Sequence, residues 1–163
     1  MGSMFIEELD ACMASRINST TIYVHWTFSK AIKNMIEKLF FTPWDKLDLV
    51  LCVYDVTGLY FNGHESNRYV FFPINPIQTS LFIEKLDSNC TYIIDIGIHS
   101  EHGSFFALNR SNRVNLNQQS CSSNKSELDW ITAPLTSMNL ESDSFSTYSY
   151  YSNDLDKVKK QYE

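Results

Sequence analysis

The sequence predicts a mainly β protein, an immunoglobulin-like β-sandwich with a helix inserted between early strands and short helices at both termini. Two observations carry this prediction. Residues 47–54 form a nearly continuous apolar run, as expected of a central strand buried on both faces. In residues 86–112, Leu86 is followed six residues later by Tyr92 and then by two strand-like runs. That order is typical of the tyrosine corner and the last two strands of such a sandwich.

The first elements are a helix and a strand. Ile6, Leu9, Met13 and Ile17 recur at spacings of three and four, which predicts an amphipathic N-terminal helix within residues 4–19. Residues 20–28 alternate and are rich in β-branched and aromatic side chains, so they predict a strand. Trp26 is the heaviest side chain of that strand, and we expect it at the centre of the core.

A second helix and further strands follow. Ser29 is placed to cap a helix from Lys30 to about residue 41, and Pro43 marks its end. Asn62-Gly63 is a hairpin signal between the central strand and a strand at 68–72. Prolines at 73 and 76 place the next connection at an edge or in a loop, before a strand at 81–86.

Composition changes near residue 116, so we divide the chain into the helix at 4–19, the sandwich at 20–115 and a polar tail at 116–163. Asn, Gln, Ser and Tyr dominate the tail, and its last eleven residues carry the pattern of a short helix. Trp130 and Ile131 are apolar residues in this polar segment. We expect them to pack along the domain or a neighbour.

Charge and cysteine content narrow the classes of partner. The net charge of -6 makes nucleic acid an unlikely partner, because phosphate binding needs clustered Lys and Arg. The four cysteines form no C-x-x-C pair, and the N-terminus carries acids where a signal peptide has a basic segment. We therefore expect reduced thiols, a cytoplasmic protein and no cofactor. No apolar run approaches the roughly 18 residues that a membrane span requires.

Four segments of the chain resemble a bacterial family known only as domain of unknown function 4912. They are residues 22–26 followed by a helix, residues 51–58, residues 61–63, and residues 103–112, which end in Asn-Arg-Ser-Asn. The chain departs from the family pattern at Phe82, where a tryptophan is usual, and at residues 115–117, where the family continues with Thr-Pro-Arg. The resemblance implies an immunoglobulin-like sandwich and brings no activity or catalytic residues.

A catalytic or metal site has only weak candidates. His99, Glu101 and His102 lie in one short segment and offer imidazole and carboxylate ligands, but a structural zinc site needs four ligands. A composite site with His64 and Glu65 requires that two loops meet. Because no phosphate loop, nucleophile elbow or carboxylate pair is present, we predict that the chain is not an enzyme and that it holds no metal.

Binding residues are the remaining candidates. Arg110 and Arg113 end the last strand and would pair with an acidic partner or with carboxylates of the same chain. Tyr148, Tyr150 and Tyr151 combine large contact area with polar tips, which suits a docking segment.

The leading hypothesis is a noncatalytic protein-interaction or assembly module that binds a protein partner or self-associates into an oligomer through its tail. The alternative is a carbohydrate-binding sandwich that uses Trp44, Tyr60 or Tyr69 as stacking platforms. A metal-dependent enzyme built on His99, Glu101 and His102 is the third hypothesis.

Overall fold

Two antiparallel sheets pack against each other in the computed structural model, which describes residues 9–117 and 128–132. The elements are β1 Ala11–Arg16, β2 Ile22–Thr27, α1 Lys30–Phe40, a 3-10 turn Trp44–Lys46, β3 Leu49–Asp55, β4 Arg68–Pro73, β5 Ser80–Ile83, β6 Thr91–His99, β7 Phe105–Arg110 and β8 Val114–Asn115. One sheet has the order β1-β2-β5; the other has the order β4-β3-β6-β7, and β8 pairs with β6. The mainly β sandwich with a helix between early strands is therefore confirmed.

The core lies between the sheets and is closed at one side by α1. Trp26 is 2% exposed and packs with Ile36 of α1 and with inward residues of β3 and β6. The Ser29 hydroxyl accepts a hydrogen bond from the Ile32 N–H at 3.3 Å, which caps α1 as predicted. No helix in the described ranges is long and apolar enough to cross a membrane.

The predicted N-terminal helix is wrong for residues 11–16, which form β1. Cys12 and Ala14 are buried, whereas Met13 and Ser15, which each follow one of them, are exposed, so the burial alternates with the period of a strand. Spacing alone favoured a helix, but a short isolated helix is marginal in water. Pairing along β2 satisfies the backbone instead. The predicted C-terminal helix at 153–163 lies outside the described residues.

The tyrosine corner is present. The Tyr92 hydroxyl donates to the Asp87 carbonyl at 3.1 Å, and Leu86 and Tyr92 are both buried in the same core as Trp26. This bond fixes the connection between β5 and β6 against the start of β6.

The outer face of the larger sheet carries a second apolar layer. Its buried members are Cys52, Tyr54, Val56, Tyr69 and Ile93, against which Phe61, Phe71 and Phe105 pack. This layer explains why all seven residues of β3 are buried. Part of it comes from the long β3–β4 connection, in which the Asn62 carboxamide accepts from the N–H groups of His64 and Glu65 and Phe61 lies on Tyr54.

Candidate functional site

A cavity of about 400 Å³ lies where α1 ends and the chain passes from β6 to β7. Three of the residues that line it are the metal candidates predicted from the sequence, His99, Glu101 and His102. Two other lining residues, Lys46 and Asp48, are charged, and nothing in the sequence connects them with the three candidates. Antiparallel pairing of β3 with β6 brings these segments together, and the His99 N–H donates to the Asp48 carbonyl at 3.0 Å.

The cavity does not assemble a metal centre. The His99 ring packs against Phe71 with ring centroids 4.5 Å apart, while Glu101 and His102 are exposed. Within residues 9–117 and 128–132, no three His, Cys, Asp or Glu side chains are grouped so that they could hold a metal ion. His64 and Glu65 lie in the β3–β4 connection, at the opposite end of the sheet, so the composite site is not formed.

Arg110 forms a bidentate ion pair with Asp95. Its Nε and Nη2 atoms lie 2.7 and 2.8 Å from the two Asp95 carboxylate oxygens, and the Asp95 side chain is 1% exposed. The guanidinium also lies over the Phe61 ring at 4.7 Å. Burial raises the pKa of Asp95, and the hydrogen bonds from Arg110 oppose that rise. Arg110 thus pairs with a carboxylate of its own chain.

The neighbours of Arg110 also hold the fold together. Ser111 exchanges two hydrogen bonds with the backbone of Ile94, one through its N–H and one through its hydroxyl. The Asn112 carboxamide bonds both the N–H and the carbonyl of Ala14 at 2.9 Å, so it occupies the outer edge of β1 as a neighbouring strand would. Arg113 donates to the Leu59 carbonyl at 3.0 Å. The Asn-Arg-Ser-Asn segment therefore has structural contacts at three consecutive positions, residues 110–112.

Arg68 is the centre of a second charged cluster, at the other end of the sheet from the cavity. Its Nε lies 2.9 Å from the Asp55 carboxylate, and its Nη2 bonds Asp87. Its guanidinium carbon lies 4.3 Å from the centre of the Trp130 ring, which stacks on Tyr92 at 5.9 Å and 16°. Burial alone would lower the pKa of the Arg68 guanidinium. The hydrogen bonds to Asp87 and Asp55 and their negative charges outweigh this effect, so the pKa of Arg68 is raised.

Acid is expected to weaken this cluster. Burial alone would raise the pKa of Asp55, but hydrogen bonds from Thr57 and Arg68 outweigh it and hold the pKa below its ordinary 3.8. Such a carboxylate stabilises the fold above its unfolded pKa and loses that contribution as pH falls through its folded pKa. Urea unfolding between about pH 5 and pH 2 should therefore depend less on pH in Asp55→Asn than in the wild type. Asp45→Asn, which removes an exposed carboxylate, is the control, and parallel curves for all three proteins would contradict the assignment.

Residues 128–132 dock on the domain beside this cluster. Tyr69 and Ile131 exchange backbone hydrogen bonds of 2.9 and 2.7 Å, which form an isolated bridge at the outer edge of β4. Leu128 and Trp130 pack against the main core. The part of the tail that the structure describes therefore packs on its own domain, one of the two arrangements expected from the sequence. The sequence did not predict that Arg68 and Tyr92 would hold Trp130, because β4, β6 and the tail meet only in the folded chain.

The proposed sugar platforms are not arranged as a group. Tyr69 is buried, so its prediction as an exposed platform is wrong: its ring packs in the outer apolar layer. The Trp44 indole donates to the Pro76 carbonyl at 3.1 Å and packs on Phe28. Tyr60 is 91% exposed. The tail tyrosines at 148, 150 and 151 lie outside the described residues.

The buried thiols are poor nucleophiles. Burial raises the pKa of Cys12 to about 12 and raises that of Cys52 as well. Both are therefore protonated at neutral pH, whereas the thiolate is the reactive form. Cys52 is a packing residue of the outer apolar layer, as its position in a central strand predicted.

Comparisons with known proteins place the chain in a family. No curated protein matches its sequence. The third fibronectin III domain of the human KIAA0343 protein is similar in structure, with 15% identity over 76% of this chain and 96% of that chain, at a TM-score of 0.46. A fibronectin domain of the human collagen alpha-1(XX) chain has 18% identity over 77% and 96%, at a TM-score of 0.43. A family model matches residues 10–127, well over half of the sequence, and the chain therefore belongs to the family described as domain of unknown function DUF4912.

Proposed function

We propose that this chain is a noncatalytic protein-interaction module whose tail, from residue 133 onward, contacts a protein partner or a second copy. The observation that carries the proposal is the docking of residues 128–132 at the edge of β4. This anchor fixes residue 132, the last residue before that part of the tail, beside the domain. Tyr148, Tyr150 and Tyr151 follow in that tail, and tyrosines of this kind supply contact area at low entropic cost.

The charged residues of the domain support a noncatalytic role. Asp95 is held by Arg110, and Asp55 is held by Arg68, in both cases between neighbouring strands. Shifted pKa values occur at catalytic sites and also in structural ion pairs. Here each shifted carboxylate has a structural partner and is buried, which favours the structural explanation.

The outer face of the β1-β2-β5 sheet supports a protein partner over a sugar. Tyr23 and Phe82 face each other across β2 and β5, with ring centroids 4.8 Å apart and planes tilted by 45°. Met13, which is 57% exposed, lies diagonally beside Tyr23 in the register of β1 and β2. Apolar neighbours of this kind suit a protein surface, whereas a sugar platform would offer coplanar rings.

Removal of the tail tests the proposal. The cut belongs after Thr132, since Leu116 is fully buried and Trp130 packs on the core, so an earlier cut would damage the domain. If the tail bridges copies, the mass measured by light scattering should fall from that of an oligomer to that of one chain. The full chain carrying Tyr148→Ser, Tyr150→Ser and Tyr151→Ser should likewise have the mass of one chain. The control variant Asn153→Ser, in the same tail, should keep the mass of the oligomer.

If the full 163-residue chain itself has the mass of a single copy, the partner would instead be a different protein. An unchanged mass together with an unchanged set of captured proteins, after the tail is removed, would contradict it.

A further inference from the structure

The turn at Asn62 and Gly63 holds a side-chain carbonyl in surroundings that favour attack on it. Asn62 is exposed, and its Oδ1 atom accepts hydrogen bonds of 3.0 Å from the N–H groups of both His64 and Glu65. Two convergent N–H donors at this distance stabilise negative charge that develops on an oxygen. The Asn62 carbonyl is therefore polarised toward a nucleophile.

The nucleophile next in the chain is the backbone nitrogen of Gly63. Gly63 has a positive φ of 103° and no Cβ atom, so it adds no side chain of its own beside that nitrogen. A Cβ atom built here would lie 3.5 and 3.6 Å from the two Nη atoms of Arg110, which places a guanidinium beside the Gly63 backbone. Because a nearby cation favours the deprotonated form of a group, Arg110 assists loss of the Gly63 amide proton.

We infer that Asn62 is a site of spontaneous modification, at which the folded domain promotes attack of the Gly63 nitrogen on Cγ of Asn62. The Gly63 N–H gives its proton to solvent hydroxide, and a C–N bond to Cγ forms. The Cγ–Nδ2 bond breaks, and the leaving nitrogen takes a proton from water to depart as ammonia. Water then opens the five-membered imide, which leaves aspartate or isoaspartate at position 62, and no group is oxidised or reduced. The inference does not depend on the proposed function.

Asn18 is an internal comparison within the same chain. Its Oδ1 atom also accepts two hydrogen bonds, from the Thr20 N–H at 2.9 Å and the Thr20 hydroxyl at 3.2 Å. The residue that follows it is Ser19, whose side chain hinders the backbone nitrogen, whereas Asn62-Gly63 is the one Asn-Gly pair in the sequence. We therefore expect conversion at Asn62 and not at Asn18.

Conversion acts on the segment that covers the outer apolar layer. Phe61, which precedes Asn62, packs on Tyr54 with ring centroids 4.9 Å apart and lies 4.7 Å from the Arg110 guanidinium carbon. Isoaspartate adds a carbon atom to the backbone beside Phe61 and brings a new carboxylate toward the guanidinium that binds Asp95. The modification therefore alters how the β3–β4 connection contacts the sheet.

Timed incubation of the full chain at mildly alkaline pH tests the site. Peptide mapping by mass spectrometry measures the converted fraction of each asparagine, in the folded chain and in the same chain unfolded in urea. We expect Asn62 to convert at least about tenfold faster in the folded chain, because the fold supplies the two N–H donors and Arg110. Asn18, mapped in the same samples, should remain unconverted.

Two variants at Glu65 separate its N–H group from its side chain. Glu65→Pro removes one of the two donors, so Asn62 should convert at least about threefold more slowly than in the folded wild type. Glu65→Ala keeps the N–H and loses the carboxylate, so its rate should match that of the wild type. Circular dichroism spectra establish that both variants are folded.

A conversion rate of Asn62 in the folded chain no higher than that in urea would overturn the inference, and this result requires neither variant. Equal rates for the two Glu65 variants, both folded, would overturn it as well. So would conversion of Asn18 as fast as that of Asn62.

Discussion

Replacing Arg110 with alanine should destabilise the domain by about 3–5 kcal/mol, the usual cost of breaking a buried ion pair from one side. The variant leaves the Asp95 carboxylate, 1% exposed, without the two hydrogen bonds that Arg110 gives it. It also removes the cation above Phe61. Urea unfolding measures the loss.

Two further variants separate charge from geometry at this pair. Arg110→Lys keeps the charge but cannot reproduce the bidentate contact, so its loss should fall between those of the wild type and Arg110→Ala. Arg113→Ala removes an exposed neighbouring guanidinium and should cost less than about 1 kcal/mol. A loss below about 1 kcal/mol for Arg110→Ala would contradict a buried, ionised Asp95 that depends on Arg110.

Gly97→Ala should cost about 3 kcal/mol, at the upper end of what overpacking usually costs. A Cβ atom at this position would overlap the Phe106 carbonyl oxygen and lie 2.5 Å from Cε2 of Phe105. The position lies at the bulge where the β6–β7 register shifts, so the backbone of β7 would have to move. The loss is again read from urea unfolding.

Gly103→Ala is the matched control for this effect. No atom lies within 4 Å of its added Cβ, and only its positive φ of 78° opposes the substitution, at about 1 kcal/mol. Equal losses at the two glycines would show that β7 yields easily and that the close approach at Gly97 has no energetic weight.

The strands were predictable where burial follows a simple period. The sequence of β2 alternates and that of β6 is largely apolar, and the spacing of Leu86 and Tyr92 predicts the tyrosine corner. β1 was misassigned because Met13 and Ile17 matched a helical spacing, although both are exposed. Pairing with β2 overrode that pattern, since strand pairing is decided by residues distant in sequence.

The candidate sites were less predictable than the strands, for a physical reason. A same-chain partner for Arg110 was expected, but only the β6–β7 register identifies it as Asp95. Trp130 was recognised as an apolar residue in a polar segment. Its place between Arg68 and Tyr92 depends on contacts among three segments that are far apart in sequence. Tyr69 was misread as an exposed platform because the outer layer of the sheet is formed partly by the β3–β4 connection.

Affinity capture from the protein's own host tests the central proposal, that the tail contacts another chain, most directly. The full chain, the chain ending at Thr132 and the triple tyrosine-to-serine variant are used in parallel, and captured proteins are quantified by mass spectrometry. We expect the full chain to capture at least one protein, or a second tagged copy of this chain. The captured amount of that protein should be at least tenfold lower with each of the two tail variants. Equal capture by all three proteins, with light-scattering masses that also agree, would contradict the proposal.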